Sequence, residues 1–118
     1  MTAKLSVVIP HWNGKHFLPP CLDSLQRQTY PSLEVIIVDN ASTDGSQSLV
    51  RDQYPWVRLI ELVENRGFTG ACNIGMQAAQ GEIVALLNVL ILAIVSVVLL
   101  LPTMIISRIN PIKAIKFD

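Results

Sequence analysis

The sequence predicts an α/β fold, a parallel sheet with intervening helices, followed by one helix of transmembrane type. Three observations carry that expectation. Short apolar runs containing β-branched residues recur at 5–10, 33–39, 57–64 and 82–88. Between them lie segments with apolar residues at helical spacing, joined by connections short enough to force neighbouring elements together. Finally, the run from Val89 to Ile106 carries no charge, and fifteen of its eighteen residues are apolar.

Taken in order, "LSVVIP" (5–10) is a strand stopped by Pro10, and "HWNGKH" supplies an Asn-Gly turn. "FLPPCLDSLQRQ" places Leu18, Leu22 and Leu25 on one helical face, with Pro19 and Pro20 tolerable only in a first turn. "LEVIIVD" (33–39) is almost wholly apolar, as a strand buried on both faces must be. "NASTDGSQSLVRDQY" offers several capping residues and then a second helix that ends before Pro55. "VRLIELVE" (57–64) reads as a third strand. "NRGFTGACNIGMQAAQG" reads as a Gly-rich loop opening a third helix closed by Gly81, and "EIVALLN" (82–88) as a fourth strand. Strand and helix in alternation with short connections imply a Rossmann-like parallel sheet with right-handed crossovers, in order 3-2-1-4. The domain division that follows is 1–88 for the sheet domain, 89–107 for the transmembrane-type helix and 108–118 for a short basic tail.

Residues 1–88 hold six Lys/Arg and eight Asp/Glu, and the whole chain has a formal net charge of zero. With no basic stripe, nucleic acid is not an implied partner. Cys21 and Cys72 lie far apart with no CxxC or Cys/His spacing, so they read as ordinary thiols ahead of a disulfide or metal site. The apolar stretch near the N-terminus is too short for a secretory signal, which places the sheet domain in the cytoplasm.

Ligands of open parallel sheets sit outside the carboxyl ends of the strands, where loops 10–14, 39–45 and 65–70 fall. Asp39 follows "VIIV" directly, so its carboxylate either accepts hydrogen bonds from a ribose hydroxyl or base N–H, or caps the next helix; the pattern supports both. Trp12 either stacks on a base or covers the core. His11 and His16 have no partner carboxylate and read as loop histidines. The glycines at 67, 70 and 75 do not fit GxGxxG, so a dinucleotide fingerprint is absent.

At these residues the chain resembles a known family. "LSVVIPHWNG", "CLDSLQRQTYPSLEVIIVDNASTDGS" and "VENRGFTGACNIGMQAAQGEIVALLN" are similar, in one register over about 4–88, to the N-terminal half of family 2 glycosyltransferases of GT-A fold, the rhamnosyltransferase-like members above all. The resemblance implies transfer of a sugar from a nucleotide-diphosphate donor, a UDP- or dTDP-sugar, to an acceptor hydroxyl. It further implies that Trp12 stacks on the donor base, with Pro10 and His11 shaping the pocket. Asp39 would bind the base or ribose, while Asn65, Gly67 and Asn73 belong to the loop and helix start that close over it. Some members carry Arg where this chain has Cys72. The family ends its fourth strand in an acidic motif that holds Mg²⁺ or Mn²⁺ against the diphosphate, stabilising charge as the sugar departs. Here Asn88 is followed by Val89 and Leu90, which bind no cation. The expectation is therefore no metal bound by the chain as it stands, no assignable catalytic residue, and little or no transfer. The family's acceptor half is not recognisable after residue 88, so the chain reads as truncated or chimeric.

The remainder resembles something else. "ILAIVSVVLLLPTMIISRINPIKAIKFD" is similar to the last transmembrane helix and tail of macrolide-exporter-type transporter permeases, with Arg108, Pro111, Ala114 and Lys116 in the matching pattern. At about 1.5 Å per residue, a helix from Val89 to Ile106 reaches about 27 Å, close to the hydrocarbon thickness of about 30 Å. The expectation is a single-pass helix in the cytoplasmic membrane. Charge placement conflicts with it: Arg108, Lys113 and Lys116 would hold the tail in the cytoplasm, the side the sheet domain also requires. The alternative function is a permease-derived membrane segment carrying a non-functional soluble passenger.

Overall fold

The computed structural model describes residues 3–87 and the backbone of Met104–Ser107. In chain order the elements are β1 (Leu5–His11), a 3₁₀ turn (Lys15–Phe17), α1 (Leu18–Gln26), β2 (Leu33–Asp39), α2 (Ser46–Gln53), β3 (Arg58–Glu61), α3 (Gly67–Ala78), β4 (Ile83–Leu86) and β5 (Met104–Ser107). The sheet order is β3-β2-β1-β4-β5, with the first four strands parallel as expected and β5 antiparallel to β4.

The alternation of the strands divides the core into two layers. Val7 and Ile9 of β1, with Val35 and Ile37 of β2, meet Leu18 and Leu22 of α1 and Val50 of α2 on one face. Val8, Ile36 and Val38 point the other way, against Ala71 and Cys72 of α3. Gly75 is what allows α3 to sit so close. A Cβ there would lie 2.2 Å from Val8 Cγ1 and 3.1 Å from Val38 Cγ2.

Pro10 does not stop β1, which continues to His11. The N–H and C=O of one strand residue point to the same neighbour and alternate along the chain. Val8 O accepts from Leu87 N–H at 2.9 Å, so Val8 and Pro10 face β4, whereas His11 O accepts from Asn40 N–H on the β2 side. The paired residues of β4 end at Leu86, opposite Val8, so the donor that proline lacks has no ladder bond to make. Pro19 and Pro20 stand in the first turn of α1, as required. Strand β3 is shorter than the expected 57–64, although Leu62 N–H still reaches Asp39 O at 2.9 Å. Helix α3 begins at Gly67, inside the expected loop 65–70.

The expected transmembrane-type helix (89–107) lies mostly outside the described residues and is corrected only at its end. Among the described residues no helix is long and apolar enough to cross a membrane. Residues 89–103 lie outside the described residues, but Met104–Ser107 form an edge strand where the last turn of that helix was expected. Leu86 and Met104 are cross-strand partners.

Candidate nucleotide site at the carboxyl rim of the sheet

Register places the candidate residues. His11 is the Cα partner of Asp39, the last residues of two adjacent parallel strands, so Trp12 and Asn40 leave the sheet side by side. Two non-glycine residues take positive φ here, Asn13 (48°) and Ala41 (63°), on neighbouring turns of this rim. For alanine that region is uncommon and strained, and such strain is held only where surrounding contacts fix it.

Those contacts form a continuous network. Asn13 Oδ1 accepts from Thr43 N–H at 2.7 Å, and Asn13 N–H donates to Ser42 Oγ at 2.9 Å. Lys15 N–H donates to Asp44 Oδ2 at 2.9 Å. Asn40 ties the rim to α3: its Oδ1 accepts from Arg66 N–H at 2.9 Å and its Nδ2 donates to Gly67 O at 3.0 Å. Asn65 Oδ1 accepts from Gly67 N–H at 2.7 Å, holding the start of α3, and Gly67 itself takes φ 75°.

Asp39 is buried, at 1 % exposure. Its Oδ2 accepts from Ser42 N–H at 2.9 Å and from Gln47 Nε2 at 2.7 Å, and its Oδ1 accepts from Ser42 Oγ at 2.6 Å. The nucleotide-free chain does not display the helix-capping reading: Asp39 closes the turn at Ser42, and α2 starts from Gly45 with no side-chain cap. Three donors replace water around a buried carboxylate that no cation pairs with among the described residues.

His11 is corrected from a loop residue to a buried strand end. Its Nε2 lies 2.9 Å from Ser46 Oγ, with Gly14 N–H 3.3 Å from the same nitrogen, and Ser46 Oγ in turn donates to Asp44 Oδ1. Burial lowers the imidazole pKa below its ordinary range against the opposing pull of Asp39 and Asp44. Burial pushes the Asp44 carboxyl up, but hydrogen bonds from Ser46 and Lys15 and the facing His11 bring it below the usual carboxylate value. Serine, histidine and aspartate here do not make a nucleophilic triad. Ser46 is 1 % exposed, and the carboxylate holds the serine instead of the imidazole.

The other expected residues fall as follows. Pro10 is half-buried beside His11, and Trp12 is 56 % exposed, the most open aromatic side chain among the described residues, so it does not cover the core. Asn65 and Gly67 stand at the start of α3, within reach of Asn40. Asn73 lies nearly two turns into α3 and is exposed, about 9 Å along the axis from Gly67, so it is not part of the helix start. Cys72 packs into the core with its thiol pKa raised by burial. Cys21 is likewise a buried free thiol, pushed up to about 11. Sequence reasoning passed over Asn13, Asn40, Ser42 and Gln47. The Asp-x-x-Ser spacing of Asp39 and Ser42 was the available signal, since an aspartate commonly accepts from backbone and hydroxyl groups a few residues on.

Among the described residues no three His, Cys, Asp or Glu side chains gather in one place. The carboxylates nearest the rim are already engaged, Asp39 and Asp44 by internal donors and Glu61 and Glu64 by Arg51 and Arg66. Residues 88–90, where the acidic motif was sought, lie outside the described residues and read Asn-Val-Leu.

Comparison with known proteins follows the same span. Residues 6–89 match the family described as "Glycosyl transferase family 2". The glycosyltransferase YibD of Escherichia coli K12 is 39 % identical over 90 residues, 74 % of this chain and 26 % of its own length. The mannosyltransferase PcManGT of Pyrobaculum calidifontis, solved with GDP-Man and Mn²⁺, superposes with a TM-score of 0.69 at 35 % identity, covering 75 % of this chain and 28 % of that one. S. aureus TarS 1–349 in complex with UDP gives a TM-score of 0.66 at 29 % identity, over 72 % and 27 %. The chain thus spans about a quarter of these relatives. The family match ends at residue 89, and neither the matches nor the described residues support a permease-like tail.

Proposed function

The chain belongs to glycosyl transferase family 2, and from that premise we propose that residues 1–88 are a nucleotide-sugar-binding half-domain whose site is the rim formed by Trp12, Asp39 and the start of α3. The observation that carries this reading is the pairing of His11 with Asp39. It brings an exposed aromatic face and a buried acceptor to adjacent strand ends, the combination that a planar base with N–H donors needs. Trp12 stacks on the base, and Pro10 and His11 form the wall beneath it. Asn65 and Gly67 border the ribose side, and Asn73 stands farther out on the exposed face of α3. The relatives support the ligand class, since PcManGT was solved with GDP-Man and TarS with UDP. UDP- and dTDP-sugars are the donors the resemblance implies, and the GDP-Man complex adds guanine to the bases to be tested.

At the level of the family, the reaction moves a sugar from the nucleotide diphosphate to an acceptor hydroxyl. For this chain we propose binding with little turnover. PcManGT was solved with Mn²⁺, but Asn88, Val89 and Leu90 offer no carboxylate to hold such an ion against the leaving diphosphate. Stacking and hydrogen bonding at the base do not need the metal.

Calorimetric titration of UDP, dTDP and GDP into the full chain, with Mn²⁺ and with a chelator, tests this reading. The expected result is binding that is unchanged by the metal and is weakened in Trp12→Ala. Metal-dependent binding, or measurable hydrolysis of the corresponding nucleotide-sugars, would contradict it and point to Asp44 or Glu64 as the replacement ligand.

A further inference from the structure

The contact between Gln47 and Asp39 has no part in the function proposed above. Asp39 is held by three donors, and two of them come from Ser42, three residues away in the same turn. Gln47 is different. It approaches from the first turn of α2, is only half-buried, and donates from Nε2 both to Asp39 Oδ2 at 2.7 Å and to Ser42 O at 2.9 Å. The Ser42 contacts are local to the turn, whereas the Gln47 amide sits at the end of a side chain with three rotatable torsions.

The chemistry of that amide matches the expected ligand. A glutamine side chain presents H–N–C=O. Uracil and thymine present the same sequence at their imide edge, and guanine at its lactam edge; adenine and cytosine have a bare ring nitrogen at the corresponding position. Asp39 is 1 % exposed with Gln47 in place, and an ionised carboxylate is acceptor-only. Any base that engages it must bring an N–H and must move what covers the carboxylate, of which the Gln47 side chain is the part not local to the turn.

We propose that Gln47 is a specificity-determining residue whose amide occupies, in the nucleotide-free chain, the place on Asp39 Oδ2 that the ring N–H of an imide or lactam base takes on binding. This rests on the nucleotide-binding reading given above. Gln47 swings out, the base N–H replaces its Nε2–H, and Ser42 keeps its two bonds to Asp39 throughout. Adenine and cytosine can offer only an exocyclic amino N–H, with the lone pair of the bare ring nitrogen beside it facing the carboxylate, and so displace the amide less readily. The contact therefore filters the base at the cost of some affinity.

The test compares UDP with its N3-methyl derivative, and GDP with its N1-methyl derivative, on the full chain and on Gln47→Ala. The unmodified nucleotide should bind Gln47→Ala about three- to tenfold more tightly than wild type, the factor that one net hydrogen bond commands. The methylated form should change less than twofold. Gln47→Met keeps the side-chain length without the donors and should behave as Gln47→Ala does, which guards against a folding defect in either variant. Weaker binding of UDP or GDP by both variants, or an equal change for the methylated and unmethylated forms, would overturn the role of Gln47 while leaving nucleotide binding intact. Failure of wild type to bind either nucleotide would instead sink the underlying reading, and this proposal with it.

Discussion

Asp39 shows how one residue carries two demands. Its carboxylate organises the turn that follows β2 and, in the function proposed, offers an acceptor to the nucleotide. Asp39→Asn should therefore fail in both respects. One oxygen becomes an NH₂ that faces N–H or O–H donors from Ser42 or Gln47, and leaving such buried groups unmatched costs about 1–3 kcal/mol. Chemical denaturation should register that loss, and UDP or GDP affinity should fall in parallel. Trp12→Ala should separate the two effects. Its ring is exposed, so stability should hardly change, while the loss of base stacking, about 1–3 kcal/mol, weakens binding about ten- to a hundredfold. His11 gives a pH signature. Its folded pKa lies below the ordinary 6.5, so the unfolded chain takes up a proton that the folded chain refuses. Stability is full above 6.5 and declines as pH falls from there toward the folded pKa. Melting temperature should drop between pH 7.5 and 5.5, and less so in His11→Gln.

At the scale of elements, the strands were legible because each is a compact apolar run; 33–39 was read with the bounds the structure shows. What escaped was contact-dependent. Pro10 reads as a strand stop until one sees that its missing N–H faces the side where β4 has ended. His11 reads as a loop histidine because its partners, Ser46 and Asp44, lie more than thirty residues away. Asn40 reads as part of a capping-rich loop, although it fastens β2 to α3. Asn40→Ala should loosen that joint, and hydrogen exchange at the Arg66 amide should quicken while the amides of β2 stay protected. Gly75→Ala tests the seat of α3 on the sheet. Its Cβ would meet Val8 Cγ1 at 2.2 Å, so overpacking should cost about 1–3 kcal/mol, read as an earlier unfolding midpoint.

For the whole molecule, the parallel order of the first four strands was legible, and the edge strand Met104–Ser107 was not. Hydropathy assigned Met104–Ile106 to a membrane-type helix because it does not record which residues pair with a neighbouring strand. Strand β5 lies antiparallel beside β4, with Met104 opposite Leu86. Tags at the N- and C-termini should report the same side of any membrane the chain associates with; protection of one tag alone from protease would contradict the β4–β5 pairing. The central claim, that the carboxyl rim around Trp12 receives the nucleotide, has a direct optical test. The chain has two tryptophans, and Trp56 lies between α2 and β3 at the opposite end of the sheet from Trp12. In Trp56→Phe, Trp12 is the sole reporter. Titration with UDP and GDP should quench its fluorescence saturably, and Asp39→Asn should weaken that response. No quenching at millimolar nucleotide, or a response that survives in Trp12→Phe and vanishes in Trp56→Phe, would contradict the account.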